Sequence, residues 1–177
     1  MAGTQNRTVV LLPIKPQYAE PIMDGRKRVE FRKTVFARTP THVVVYASSP
    51  VKKVLGYFEV EGIDIDTVEA LWAKHGDIGG IAEVDYRGYY AGTEYGIALA
   101  VQRVVALAEP ITLKALGVPG GPPQSFMYLD GTVLGGLQAG SQAPDLHRLP
   151  RRRARLLGRS HARRSAWAAG SELPPPI

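Results

Sequence analysis

A chain of 177 residues with 45% hydrophobic residues fits one cored domain plus an appendage, and its lack of cysteine excludes disulfides, thiolate metal sites and thiol nucleophiles. The net charge of +6 belongs to residues 141–177, which hold eight of the 22 basic residues and two of the 16 acids, leaving 14 of each in a neutral body. A neutral body excludes attraction of nucleic acid by bulk charge, so any such binding must come from a local patch. No apolar run approaches the ~18 residues of a membrane span, and residues 9–12 are too short for a signal peptide, so the chain is expected in a reducing cytoplasm, without a membrane partner.

Residues 8–14 (Thr-Val-Val-Leu-Leu-Pro-Ile) read as a short buried strand ended by Pro13. Pro16 suits a first helical position, and Tyr18, Ile22 and Met23 share a face of a helix over 17–24 that Gly25 closes. Pro21 limits that helix to about two turns. Next comes Gly25-Arg26-Lys27-Arg28-Val29-Glu30-Phe31-Arg32-Lys33, a positive stretch with one acid. It predicts a turn and a strand, with Val29 and Phe31 on one face and Arg28, Glu30 and Arg32 on the other. Alternate strand residues stand about 6.6 Å apart, so these charges can act on one ligand.

Residues 35–41 form a loop with Arg38 and Pro40. Residues 42–47 are a strongly apolar strand, broken by Ser48-Ser49-Pro50. Residues 54–60 make another strand, with Gly56 as a bulge. Asp66-Thr67 can cap a helix running through Lys74 to Gly76, and a short helix is expected within 79–90. Residues 95–107 are an unbroken apolar strand, expected to be central. One helical turn over 111–116, a rigid loop over 117–123 and a last strand over 124–129 follow. Five or six strands with short helices and no βαβ rhythm predict an α+β fold around a small, mostly antiparallel barrel. From residue 131 the periodicity ends, and a Gly, Arg, Ala, Pro and Leu bias predicts disorder, with one helix between Pro150 and Trp167.

Gly25-x-Lys27-x-x-Glu30-x-Arg32 resembles the G-x-K-x-x-E-x-R signature of the ASCH (activating signal cointegrator homology) family, a branch of the PUA-like superfamily. Residues 14–19 (Ile-Lys-Pro-Gln-Tyr-Ala), 46–51 (Tyr-Ala-Ser-Ser-Pro-Val) and 122–126 (Pro-Pro-Gln-Ser-Phe) look like the same family, in the same order. The resemblance covers residues 8–130, read as the domain, with 131–177 as an extension. It implies a PUA-like β-barrel with a cleft, and RNA or nucleotide binding. One branch of the family removes the acetyl group from N4-acetylcytidine, using the signature Lys, a Thr three residues later and a distant carboxylate. Here that Thr position is Glu30, and a carboxylate cannot simply replace an activated hydroxyl nucleophile. Thr34 is the only nearby hydroxyl and lies off the position.

Each candidate residue has a functional and a structural reading. Lys27 can contact phosphate or be a solvated turn lysine. Glu30 can accept from a base edge, or pair with Arg28, Arg32 or Lys15 and lock the strand, which is favoured. Both readings combine if Glu30 and Arg32 form a preorganised polar floor, with Arg32 binding phosphate bidentately. Lys15 sits where strand hands over to helix, a position that suits anions, or is an ordinary edge lysine. Ser48 and Ser49 can donate to a ligand or only close a turn. Gln124 and Ser125, held after two prolines, can read a base edge or satisfy their own loop. Tyr86, Tyr89, Tyr90 and Tyr95 can stack bases, but with Trp72 a satellite core is favoured.

The four histidines have no metal-ligand spacing, and no phosphate-loop, dinucleotide or nucleophile-elbow motif occurs, so no cofactor or metal is expected. Arg151, Arg152, Arg153 and Arg155 can hold RNA, or DNA as a second polyanion, by counterion release, or be an incidental extension. The favoured function is a noncatalytic, regulatory RNA- or nucleotide-binding module acting in transcription or translation. A hydrolase acting on modified nucleosides or RNA, with Lys27 and Glu30 as its catalytic pair, is the alternative. A protein-interaction coregulator is the third reading.

Overall fold

In the computed structural model, which describes residues 7–141, the apolar runs at 9–14 and 42–47 form short strands and two longer strands flank the helical middle of the chain. Strand β1 (Val9–Ile14) leads into helix α1 (Pro16–Met23), β2 (Val29–Arg32), β3 (His42–Ala47) and the long β4 (Lys53–Thr67). Helices α2 (Val68–His75) and α3 (Glu83–Tyr89) follow, separated by a 3-10 turn at Gly76–Ile78. Strand β5 (Tyr95–Ile111), strand β6 (Met127–Leu129) and helix α4 (Val133–Ala139) complete the described chain.

The helices start and stop for local reasons. Pro16 opens α1, and Gly25, at φ 80°, turns the chain beyond its end in a conformation that favours glycine. At α2 the Thr67 hydroxyl accepts from the Ala70 N–H at 3.2 Å, Glu69 lies in the first turn, and Lys74 and His75 lie in the last. Cap and charges both suit the helix dipole.

The six strands form one sheet in the order β2-β5-β4-β3-β1-β6. Only β1 and β3 run parallel; every other pair is antiparallel, so the expected α+β, mostly antiparallel architecture is present. The expected barrel is not, because the sheet is open: its edges are β2, of four residues, and β6, of three. No ladder joins them; side chains span the gap instead. Arg32 of β2 donates to the carbonyl oxygens of Pro13, at 3.2 Å, and Ser125, at 2.6 Å. Phe36 packs on Phe126 with ring centroids 4.7 Å apart, and Arg38 lies 4.1 Å over the Tyr128 ring.

Two element boundaries also differ from expectation. The strand predicted to end near residue 60 continues to Thr67, because bulges at Glu59/Val60 and Val60/Gly62 hide the alternation that resumes beyond them. Strand β5 is interior, between β2 and β4, but the middle of the sheet is β4 and β3. Disorder was expected from residue 131, yet α4 forms there and buries Leu134 and Leu137 against Val9, Leu11, Val44 and Tyr57. Two leucines at helical spacing were enough to dock it. The helix expected between Pro150 and Trp167 lies outside the described residues.

The core has three parts. One side of the sheet holds Val10, Leu12, Ile14, Val43, Val45, Ile97 and Leu99, capped by Ala19 and Ile22 of α1. The alternate residues of β1 and β3 pack against α4. Val29 and Phe31 join Leu71, Tyr86, Tyr90 and Ala98 under α2 and α3.

Candidate functional site

The basic stretch divides as its alternation predicts. Val29 and Phe31 face the α2–α3 cluster. Glu30 lies opposite Leu99 and Arg32 opposite Ile97, and cross-strand partners share a face, so both point toward the cluster under α1. Two charged side chains thus enter an apolar interior, a placement that requires partners.

Those partners form one chain of contacts. Lys27, only 2% exposed, donates from Nζ to the Gly79 carbonyl oxygen and lies 3.5 Å from Glu30 Oε2. Its ammonium also stands 5.8 Å from the Tyr18 ring centre and 5.4 Å from that of Phe31. Glu30, 5% exposed, has its other oxygen 3.7 Å from Arg32 Nη1. Arg32 in turn holds the carbonyls of Pro13 and Ser125. Burial pulls the Lys27 ammonium below the ordinary lysine range, while Glu30 pulls it back up.

Lys27 is therefore buried, not the solvated turn lysine of its structural reading. The closing element is the Gly79-Gly80 pair: a Cβ at Gly80, where φ is 57°, would lie 2.7 Å from Lys27 Cβ. One at Gly79 would lie 2.5 Å from the Phe31 ring. The backbone presses onto the lysine only because both residues lack side chains. Consecutive glycines permit a close approach but do not name its partner, and the expectation there was only a short helix within 79–90.

Around the end of β1 the polar candidates converge. Ser48 N–H donates to the Ile14 carbonyl oxygen, placing the Ser48-Ser49 turn beside Lys15. Lys15 is exposed at the start of α1 and forms no ion pair among the described residues, whereas Arg26, Lys74, Arg87 and Arg103 each do. On the other flank Ser125 accepts from Arg32 through its carbonyl and donates from its hydroxyl to Thr34 at 3.0 Å, with exposed Gln124 next to it. Arg32 and Ser125 thus meet directly, with Gln124 next to Ser125, while Ser48 and Ser49 stand beside Lys15 at the end of β1. Lys27 and Glu30 lie behind Arg32 as its buried neighbours. Thr34, missed as a rim residue, joins through Ser125. An open cavity of about 290 Å³ is lined by Val35, Phe36, Thr39, Ile63, Ile65 and Ile97, of which Ile97 is the cross-strand partner of Arg32.

The arrangement offers a fixed guanidinium, an unpaired ammonium, hydroxyls, a carboxamide and an apolar recess. Such a set can hold an anion and an adjoining flat, partly polar group. The described histidines lie elsewhere: His75 contacts Asp64 at 3.0 Å on the α2 side, and His42 contacts Thr41. Among the described residues no group of three His, Cys, Asp or Glu side chains is set to hold a metal ion, and no helix is long and apolar enough to cross a membrane. Of the four tyrosines, Tyr86 and Tyr90 are core and Tyr89 and Tyr95 are exposed. Arg151, Arg152, Arg153 and Arg155 lie outside the described residues.

The profile of the ASCH domain matches residues 12–111. An ASCH domain-containing ribonuclease of Zymomonas mobilis is 31% identical over 133 residues, covering 73% of this chain and 89% of that protein. The crystal structure of ASCH from Zymomonas mobilis superposes with a TM-score of 0.68 at 29% identity, over 76% of this chain and 96% of that one. The large ribosomal subunit protein uL22 of Ureaplasma parvum serovar 3 is 30% identical over 121 residues, which span 39% of its length.

Proposed function

The chain belongs to the ASCH domain family, and from that membership we propose that it binds single-stranded RNA or a nucleotide at the seam of its open sheet. The observation that supports this reading is that Arg32 ties the end of β1 to Ser125, with the Ser48 turn and Lys15 at that same end of β1. In it, Lys15 meets phosphate, and Gln124 with the Ser48 and Ser125 hydroxyls meets ribose and base edges. Arg32 donates to the carbonyls of Pro13 and Ser125 and stands beside Glu30, so it positions the rim and offers phosphate its remaining donors. Lys27 and Glu30 hold Arg32 in place.

Binding without turnover is the preferred form. The buried Lys27–Glu30 pair leaves neither group free as an exposed acid, base or nucleophile, and the Thr34 hydroxyl is engaged by Ser125. Cleavage of RNA is the second reading, favoured by the relative named as a ribonuclease. A regulatory role in the cytoplasm is part of the preferred proposal.

Anisotropy titration of a short fluorescein-labelled single-stranded RNA tests the site. The full chain is compared with Lys15→Ala, Gln124→Ala and a variant with Arg151, Arg152, Arg153 and Arg155 changed to Ser. Binding that weakens about five- to tenfold in each cleft variant, and survives the four-Ser change, supports the cleft. Affinity that disappears only with the four arginines places binding on the extension instead. A denaturing gel of the same mixtures reads cleavage directly, and RNA fragments that vanish with Glu30→Gln, in urea-free buffer where its circular dichroism shows it folded, would establish the second reading.

A further inference from the structure

We propose that Tyr89 and Lys33 form a second contact for the same RNA strand: Tyr89 stacks an unpaired nucleobase and Lys33 holds the phosphate beside it. The proposal rests on the RNA reading of the seam and extends it around the outside of β2. Four aromatic residues lie in this part of the chain, and the structure separates them by role. Tyr86 and Tyr90 are buried, whereas Tyr89 is 38% exposed and Tyr95 is 46% exposed.

The Tyr89 ring is fixed rather than loose. It stands edge-on to Tyr90, with centroids 4.8 Å apart and planes at 73°. The Tyr90 hydroxyl donates to the Arg32 carbonyl oxygen at 2.9 Å, so the platform is tied to the residue that staples the seam. Lys33, next in sequence, holds its ammonium 5.0 Å from the Tyr89 ring centre. It is exposed and has no carboxylate partner among the described residues. Thr34, one residue on, carries the hydrogen bond to Ser125 on the cleft rim. A strand leaving the cleft past Thr34 therefore meets an unpaired cation and an oriented aromatic ring.

Aromatic rings stack bases of any sequence, because every base has a π-face, and an adjacent cation neutralises the following phosphate. A cation over an exposed ring is weakly held, so phosphate can draw the Lys33 ammonium away as a base covers Tyr89. Tyr95 lies two residues before Ile97, which pairs with Arg32, and so stands at the same end of the β2–β5 ladder.

Single-stranded RNA containing 2-aminopurine, titrated with the full chain, tests this by fluorescence. Stacking on Tyr89 predicts quenching, with Tyr89→Leu losing the quench and roughly five- to hundredfold of the affinity. Tyr89→Phe keeps both, because it retains the ring. Lys33→Gln lowers the slope of log affinity against log salt by about 0.7, the value for one phosphate of a single strand. These two variants keep the ring or keep Tyr89 intact, so a loss of packing in Tyr89→Leu cannot imitate the whole pattern. Wild-type binding with unchanged affinity and quench in Tyr89→Leu would overturn the second contact and leave the cleft standing. Absence of wild-type binding would overturn both.

Discussion

At the scale of single residues, Glu30 holds the most consequential position. It sits between Lys27 and Arg32 in a largely apolar interior, so each charge is tolerated because the next is present. Replacing Glu30 with Ala leaves the Lys27 ammonium buried with only the Gly79 carbonyl. The expected loss of stability is about 3–5 kcal/mol, read as a lower midpoint in urea. Changing Lys27 to Met and Glu30 to Leu together removes both charges and should recover much of that loss. A single Glu30→Ala variant as stable as wild type would mean that the pair is not buried as described. The alternation around Val29 and Phe31 was legible in the sequence, and so was an ion pair for Glu30, with its partner left open among Arg28, Arg32 and Lys15 and Lys27 not among them. The burial of Lys27 was not, because it depends on Gly79 and Gly80, some fifty residues away, and no local pattern reports so distant a contact.

At the scale of elements, the α2–α3 layer is a titratable structural unit. The Tyr86 hydroxyl donates to the Val68 carbonyl oxygen at 2.8 Å, and burial pushes its pKa up to about 12, with Glu69 adding to the shift. Tyr90 is raised as well, chiefly by burial. A phenol whose folded value lies above its unfolded value of 10.0 contributes stability that is fully present below pH 10. That contribution is lost as pH rises toward 12. Tyr86→Phe should therefore flatten part of the alkaline fall in stability, at a cost near neutral pH of about 0.5–1.5 kcal/mol for the lost hydrogen bond. Urea denaturation at neutral pH and between pH 10 and 12 checks both. An unchanged alkaline slope would contradict the assignment. Helices α1 and α2 were readable from Pro16, Thr67 and the glycines that follow them, since capping is local, whereas α3, whose Ala82 makes no side-chain cap, was expected only within 79–90. Helix α4 was not, because a short run with two leucines among glycines acquires meaning only when β1 and β3 supply a surface for it.

At the scale of the whole molecule, the open sheet leaves the seam at which the RNA site is proposed. No ladder joins β2 to β6; Arg32 of β2 instead holds the carbonyls of Pro13 in β1 and of Ser125 just before β6. The sequence indicated the strands and their mainly antiparallel pairing. It did not reveal that closure would fail, since that depends on two edge strands too short to pair and on Phe36, Phe126, Arg38 and Tyr128 filling the gap. The central claim is that RNA engages this seam rather than the arginine-rich residues beyond it. Amide chemical-shift mapping on isotope-labelled full-length protein, titrated with a short single-stranded RNA, tests it most directly. The account predicts shifts clustered at Lys15, Lys33, Ser48, Ser49, Gln124 and Ser125; shifts confined to residues 142–177 would contradict it.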